Sequence, residues 1–98
     1  MKGKIAGFDW DEGNRDKCRK HGVSLAEIEA LFHAAPAVYP DPAHSGTEER
    51  FLAIGPGKAG RMIFVAFTLR GKEGGTFIRP ISARYMHAKE VRHYEEKD

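Results

Sequence analysis

Residues 50–84 hold three strand-like runs separated by two short glycine-rich segments, and this stretch limits the fold more than any other. The runs are Arg50 to Gly55, Arg61 to Leu69 and Thr76 to Arg84. Pro56-Gly57-Lys58-Ala59-Gly60 joins the first pair and Gly71-Lys72-Glu73-Gly74-Gly75 joins the second. Connections this short cannot hold the crossover that parallel neighbours need, so the strands are expected to form an antiparallel meander. Met62 to Phe67 is apolar at both parities, which predicts a central strand covered on both sides. Pro80 falls inside the last run. It has no N–H for a ladder, so it marks an edge position or a bulge.

The flanking segments read as helices and short strands. Lys4 to Phe8 is a strand candidate. Asp9-Trp10-Asp11 offers an N-cap and early acids for a helix from Glu12 to Lys20, with Lys17, Arg19 and Lys20 at its far end and Gly22 as the stop. Ser24 and Glu27 form the S-x-x-E capping box of a second helix. Leu25, Ile28, Leu31 and Phe32 repeat at helical spacing, and the helix should end near His33. Ala37-Val38-Tyr39 is a short strand, and Pro40 to Gly46 is a loop by composition. A last helix is expected from Met86 to Glu96, with Ala88, Val91 and Tyr94 as its inner stripe and His87 on the same arc. The order β-α-α-β-β-β-β-α describes an α+β domain. Its small antiparallel sheet carries two N-terminal helices and one C-terminal helix packed on it.

With 98 residues the chain is expected to be a single domain, 1–98, burying roughly two thirds of its unfolded surface. Hydrophobic residues at 41% and charged residues at 31% fit a soluble globular protein. No run approaches the roughly 20 apolar residues of a membrane helix. The N-terminal MKGKIAGFDWD ends in acids after too short an apolar stretch to be a signal peptide. The single cysteine, Cys18, has no internal disulfide partner, which fits a reducing, cytoplasmic setting. Charge is uneven: residues 1–55 carry 7 Lys/Arg against 9 Asp/Glu, and residues 56–98 carry 9 against 5. The basic C-terminal half suggests an anionic partner, while a solvated surface explains it equally simply.

Chemistry-bearing residues concentrate in Arg79-Pro80-Ile81-Ser82-Ala83-Arg84-Tyr85-Met86-His87-Ala88-Lys89-Glu90. This reads as a strand end running into the first turn of the last helix. A strand end holds side chains rigidly, and a helix N-terminus is a ready anion site, so a phosphate is the ligand it suits. The five histidines and one cysteine show no zinc spacing, and there is no glycine motif of P-loop or dinucleotide type. Neither a metal nor another cofactor is expected.

Five segments in register resemble one family. They are Phe8-Asp9-Trp10-Asp11, Lys20-His21-Gly22-Val23-Ser24, Asp41-Pro42-Ala43-His44-Ser45, Glu48-Glu49-Arg50-Phe51, and Ile81-Ser82-Ala83-Arg84 through Glu90 to Tyr94-Glu95. Together they are similar to the BrnT family, toxins of type II toxin–antitoxin pairs. Ala88 and Val91 depart from it, standing where a basic residue is common in that family. The resemblance implies a fold like that of RelE-type ribonucleases and metal-independent RNA cleavage that inhibits translation. It also implies a cognate antitoxin, usually with a ribbon-helix-helix part as in BrnA-like proteins, which covers the toxin and alone carries it to operator DNA. The oligomeric state stays open, a homodimer included. A non-catalytic RNA- or antitoxin-binding domain of the same fold is the alternative.

Metal-free RNA cleavage needs a base for the ribose 2′-OH, stabilisation of the charge at phosphorus and an acid for the leaving 5′-oxygen. Arginine suits the second task, with a planar fork that matches phosphate and a charge that never titrates away. Arg84 is the first candidate and Arg79 the second. Plain alternation puts them on opposite faces, and a bulge at Pro80 would bring them together. A salt bridge to Glu90 or Glu95 is the other explanation for these arginines. His87 suits acid or base work because its ordinary pKa is near neutral, or it packs between helix and sheet. Lys58, Arg61, Lys89 and Arg92 are candidates to hold RNA phosphates, or form a solvated basic face. Tyr85 would stack on a base or pack internally. His44-Ser45 is explained equally by a hydrogen bond that stabilises its turn. Glu48 and Glu49, adjacent on an expected strand, would face opposite ways.

Overall fold

A computed structural model describes residues 5–97 of the chain. The elements are β1 (Ile5–Phe8), α1 (Glu12–Arg19), α2 (Leu25–His33), β2 (Ala37–Pro40), β3 (Arg50–Pro56), β4 (Met62–Lys72), β5 (Gly75–Tyr85) and α3 (Ala88–Lys97). Their order is the expected one; Lys4, the expected first residue of β1, lies outside the described residues. Among the described residues no helix is long and apolar enough to cross a membrane.

Both N-terminal helices are held by local chemistry. Asp11 caps α1 through Asn14 and Ser24 caps α2 through Glu27, each as a reciprocal capping box. At the β4–β5 hairpin, Gly74 and Gly75 take φ of 98° and 133°, a region that side chains with a Cβ rarely adopt.

The sheet has five strands in the order β1-β5-β4-β3-β2. Strands β2 to β5 form the expected antiparallel meander. The sheet as a whole is mixed, because β1 runs parallel to β5, pairing Ile5 with Thr76 and Phe8 with Ile78. The expectation of a wholly antiparallel sheet is therefore corrected. The cause is topological: α1 and α2 lie between β1 and the meander, and such a helical crossover lets two strands run parallel. Consequently β5 is an interior strand rather than an edge.

One face of the sheet is covered by α1 and α2. Ile63, Val65 and Phe67 of β4 and Ile78 and Ala83 of β5 meet Cys18, Val23, Ile28, Leu31 and Phe32, forming a single cluster. Gly55 lets Leu31 pack closely there: a Cβ on it would lie 2.6 Å from Leu31 Cδ1, which would have to shift. Burial pushes the Cys18 thiol up to about 11. The other face carries Leu52, Phe64, Ala66 and Thr68, by cross-strand register. It is bounded at one end by α3, where Tyr94 meets Tyr39 edge to face at 6.2 Å.

Pro80 sits at a bulge. Phe67 pairs with Pro80 but Ala66 pairs with Ser82, so Ile81 is an extra residue on β5. The bulge is secured from α1: the Asn14 side-chain amide donates to the Pro80 carbonyl at 2.8 Å and to the Asp9 carbonyl at 3.0 Å. Asn14 is only 5% exposed. Replacing it by Ala would leave a buried carbonyl unpaired, and Asn14→Asp would remove the donor. Each variant is expected to lose about 2 kcal/mol of stability, about 10 °C in Tm. Thermal melts followed by circular dichroism check this, and a Tm within a degree of wild type would refute it.

Candidate functional site

The extra residue at the bulge resets which way β5 side chains point. Arg79 lies opposite Thr68, Ser82 opposite Ala66 and Arg84 opposite Phe64, so all three share the face opposite the one that Val65 and Phe67 present to the core. The two arginines expected on opposite faces are brought onto one. They are not adjacent: Thr68 and Phe64 are four residues apart on β4, about 13 Å of strand.

Arg84 is held at the α3 end. Its Nη1 and Nη2 each donate to one oxygen of Glu90 at 2.8 Å, a bidentate fork, and its guanidinium lies 4.8 Å from the Phe64 ring centroid. The His87 backbone N–H donates to the same carboxylate at 2.9 Å. The Arg84 fork and this N–H together outweigh burial and hold Glu90 down to about 2. Of the two salt-bridge partners weighed for Arg84, Glu90 is the one observed. His87 is exposed and precedes α3, as is Ala88 at its first residue. Neither faces inward as expected, because the helix starts two residues later than Met86 and its half-buried positions are Glu90, Val91 and Tyr94.

Arg79 is held at the other end. It donates through Nη2 to Asp11 Oδ2 at 2.8 Å and through Nη1 to the Asp9 carbonyl at 3.5 Å. Asp9 also takes a 2.8 Å ion pair from Lys72, and that bond, against burial and with Arg79 nearby, lowers its pKa. Beside Arg79 opens a cleft of about 710 Å³ between the first turns of α1 and the sheet. Lys17, Thr68 and Arg70 line it with Arg79, opposed by Asp11 and Glu48. Glu48 grips Arg70 at 2.6 and 3.3 Å. It lies in the bend before β3 rather than on a strand.

The remaining candidates scatter. Tyr85 points to the helix-covered face with Ala83, and its hydroxyl donates to the Glu27 carboxylate at 3.0 Å. That bond and burial raise the Tyr85 pKa. Burial works against the charged form of Glu27, but the Lys58 N–H, the Tyr85 hydroxyl and the Ser24 N–H win and lower its pKa. Arg61 stacks on the half-buried Tyr85 ring at 3.8 Å. Lys58, Lys89 and Arg92 are exposed. His44 and Ser45 bind Asp41, through Nδ1 at 3.0 Å and through a hydroxyl donated to its carbonyl at 2.9 Å, and stabilise their turn. Thr68, Arg70, Lys17 and Glu48 were not singled out as site residues from the sequence. Thr68 and Arg70 could have been found as alternate residues on one strand; Lys17 and Glu48 carry no local signal.

A family model described as "Ribonuclease toxin, BrnT, of type II toxin-antitoxin system" matches residues 10–90. The chain belongs to this family. No curated protein matches it. BrnT membership implies a ribonuclease toxin with an antitoxin partner and an RNA target. The match takes in Arg79, Arg84 and His87 and every residue named above as lining the cleft.

The Arg84–Glu90 pair of this BrnT chain makes a pH prediction. Because Glu90 titrates below its ordinary 4.5, its contribution is complete above that pH and disappears as the pH falls towards 2. In urea denaturation, wild type is expected to exceed Glu90→Gln at neutral pH and to lose that advantage by about pH 2. An advantage unchanged at pH 2 would assign it to something other than this carboxylate.

Proposed function

We propose that the chain is a metal-independent endoribonuclease toxin that inhibits translation in the cytoplasm and is neutralised by a cognate antitoxin of ribbon-helix-helix type, through which alone it reaches operator DNA. The observation that carries this is the BrnT match over residues 10–90. We read the sheet and helices as a RelE-type arrangement. The mechanism we read is built on cationic side chains.

In this mechanism Arg84 stabilises the charge that builds on the scissile phosphate. Glu90 occupies one edge of the guanidinium and leaves other N–H groups for phosphate oxygens. Arg79 binds the RNA further along the same face. His87, exposed beside Arg84 in the chain, transfers a proton to or from the sugar oxygens. Lys89 and Arg92 on α3, with Lys58 and Arg61 at the β3–β4 turn, contact backbone phosphates. The alternative, a non-catalytic RNA- or antitoxin-binding domain, draws on the Glu90 fork already closed around Arg84.

Expression of the chain alone is expected to arrest bacterial growth with loss of RNA. Normal growth at verified soluble expression would favour the binding domain. In single-turnover cleavage, Arg84→Ala is expected to lose about a hundredfold with its fold intact, and Arg84→Lys to remain impaired because an ammonium lacks the fork. His87→Ala is expected to keep its Tm and lose one limb of the pH–rate profile. Cleavage is expected to survive EDTA. Full activity of Arg84→Ala would remove this site assignment.

A further inference from the structure

A second groove, largely apolar, lies beside α3 on the open face of the sheet. Its floor is Tyr39 of β2, Leu52 and Ile54 of β3 and Phe64 of β4, with Met86 and α3 as its wall. Register joins the floor residues: Tyr39 lies opposite Leu52, and Ile54 opposite Phe64. The space measures about 770 Å³. Leu52, Phe64 and Met86 are half-buried, and Tyr39, at 38%, is the one large apolar side chain exposed among the described residues. A concave apolar site of this kind is where a partner buries its anchoring side chains.

The lining says which partner it suits. Tyrosine, phenylalanine and methionine are the side chains enriched at protein–protein contacts. A polynucleotide draws its affinity from phosphates, and Lys89 is the one lysine or arginine in the lining. The charge that remains for a partner is nevertheless positive. Glu90, the one acid in the lining, is committed to the Arg84 fork and the His87 N–H. Lys89 is exposed at the rim and takes no ion pair among the described residues. Arg92, exposed on the next turn of α3, takes none either, and Glu95 and Glu96 do not line the groove. An apolar protein segment that carries carboxylates complements this surface.

We propose that this groove is the seat of the antitoxin. A segment of that protein lays apolar side chains on Tyr39, Leu52 and Phe64 and sets a carboxylate against Lys89. Because Glu90 is part of the groove wall and Arg84 lies opposite Phe64, the bound segment stands beside the Arg84–Glu90 fork and closes it to RNA. That the occupant is an antitoxin rests on the toxin reading; binding in the groove needs no cleavage.

The test is hydrogen–deuterium exchange of the full chain, alone and with the purified protein encoded by the reading frame beside its own gene. Binding is expected to protect β2 and α3. Tyr39→Ala is expected to bind that protein about tenfold more weakly, the scale of one aromatic anchor. Lys89→Glu is expected to slow association about fivefold at low salt and to lose the difference at high salt. Should Tyr39→Ala melt early, the Lys89→Glu rate decides. Unchanged binding in these variants, protection confined to other surfaces, or no complex at all would each overturn the proposal. So would a chain that dimerises by itself through the groove, or a 2′-O-methyl oligoribonucleotide that protects the groove as strongly as the protein does. Protection of the groove by that protein, with no cleavage of RNA by the free chain, would support the groove and remove the ribonuclease reading. Growth arrest relieved by the same protein bound elsewhere would remove the groove alone.

Discussion

Ile81 is one residue more than β4 can pair, and the chemistry of the open face depends on that surplus. Without it, strict alternation would turn Arg79 or Arg84 toward Phe67 and the helices, where an unpaired charge is very costly. With it, Pro80 points into the core and the arginines on either side point out. A proline is tolerated inside this interior strand because the bulge breaks the ladder there. Asn14 then accepts the Asp11 N–H and donates to the Pro80 carbonyl, so one buried amide joins the α1 cap to the bulge. The position of α1, and hence one wall of the cleft, follows from the same irregularity.

The open face is organised by carboxylates as much as by cations. Glu90 orients Arg84, Asp11 and Asp9 orient Arg79, and Glu48 orients Arg70. Ion pairs in contact with solvent add little stability. Their effect is geometric: each long side chain is held in one direction with part of its fork uncommitted. A ligand then meets guanidiniums already aimed, at a smaller cost in side-chain entropy. Glu27 does the same work on the opposite side, where its capping bond to Ser24, its bond from the Lys58 N–H and its bond from Tyr85 tie α2 to the β3–β4 turn and the end of β5.

Short-range signals were legible. The Ser24–Glu27 capping box follows from residues three apart, and the meander follows from glycine-rich connections too short for a crossover. Pro80 was readable as an edge position or a bulge because a missing donor has few sites in a sheet, and the register shows the bulge. The misreadings concern partners distant in sequence. The parallel pairing of β1 is decided by Thr76 to Ile78, some seventy residues away. Periodicity counted from Met86 put His87 and Ala88 inside, but Glu90, bonded to the His87 N–H, starts the helix later and leaves both exposed. The partners of Tyr85, Glu27 and Arg61, are likewise distant in sequence and had no local signal.

By itself the sequence determined the element order, the helix caps, the central apolar strand and the concentration of chemistry near the C-terminus. All of these are set by bonds between near neighbours or by the period of apolar residues. Only the tertiary structure decided which charges meet. That Arg84 faces Glu90 rather than Glu95, that Arg79 reaches Asp11 at the cap of α1, and that Lys17, Glu48, Thr68 and Arg70 line one cleft are outcomes of register and packing. A side chain's direction on a strand flips with every residue, so one bulge changes the answer, and no local pattern reports where a distant carboxylate will be.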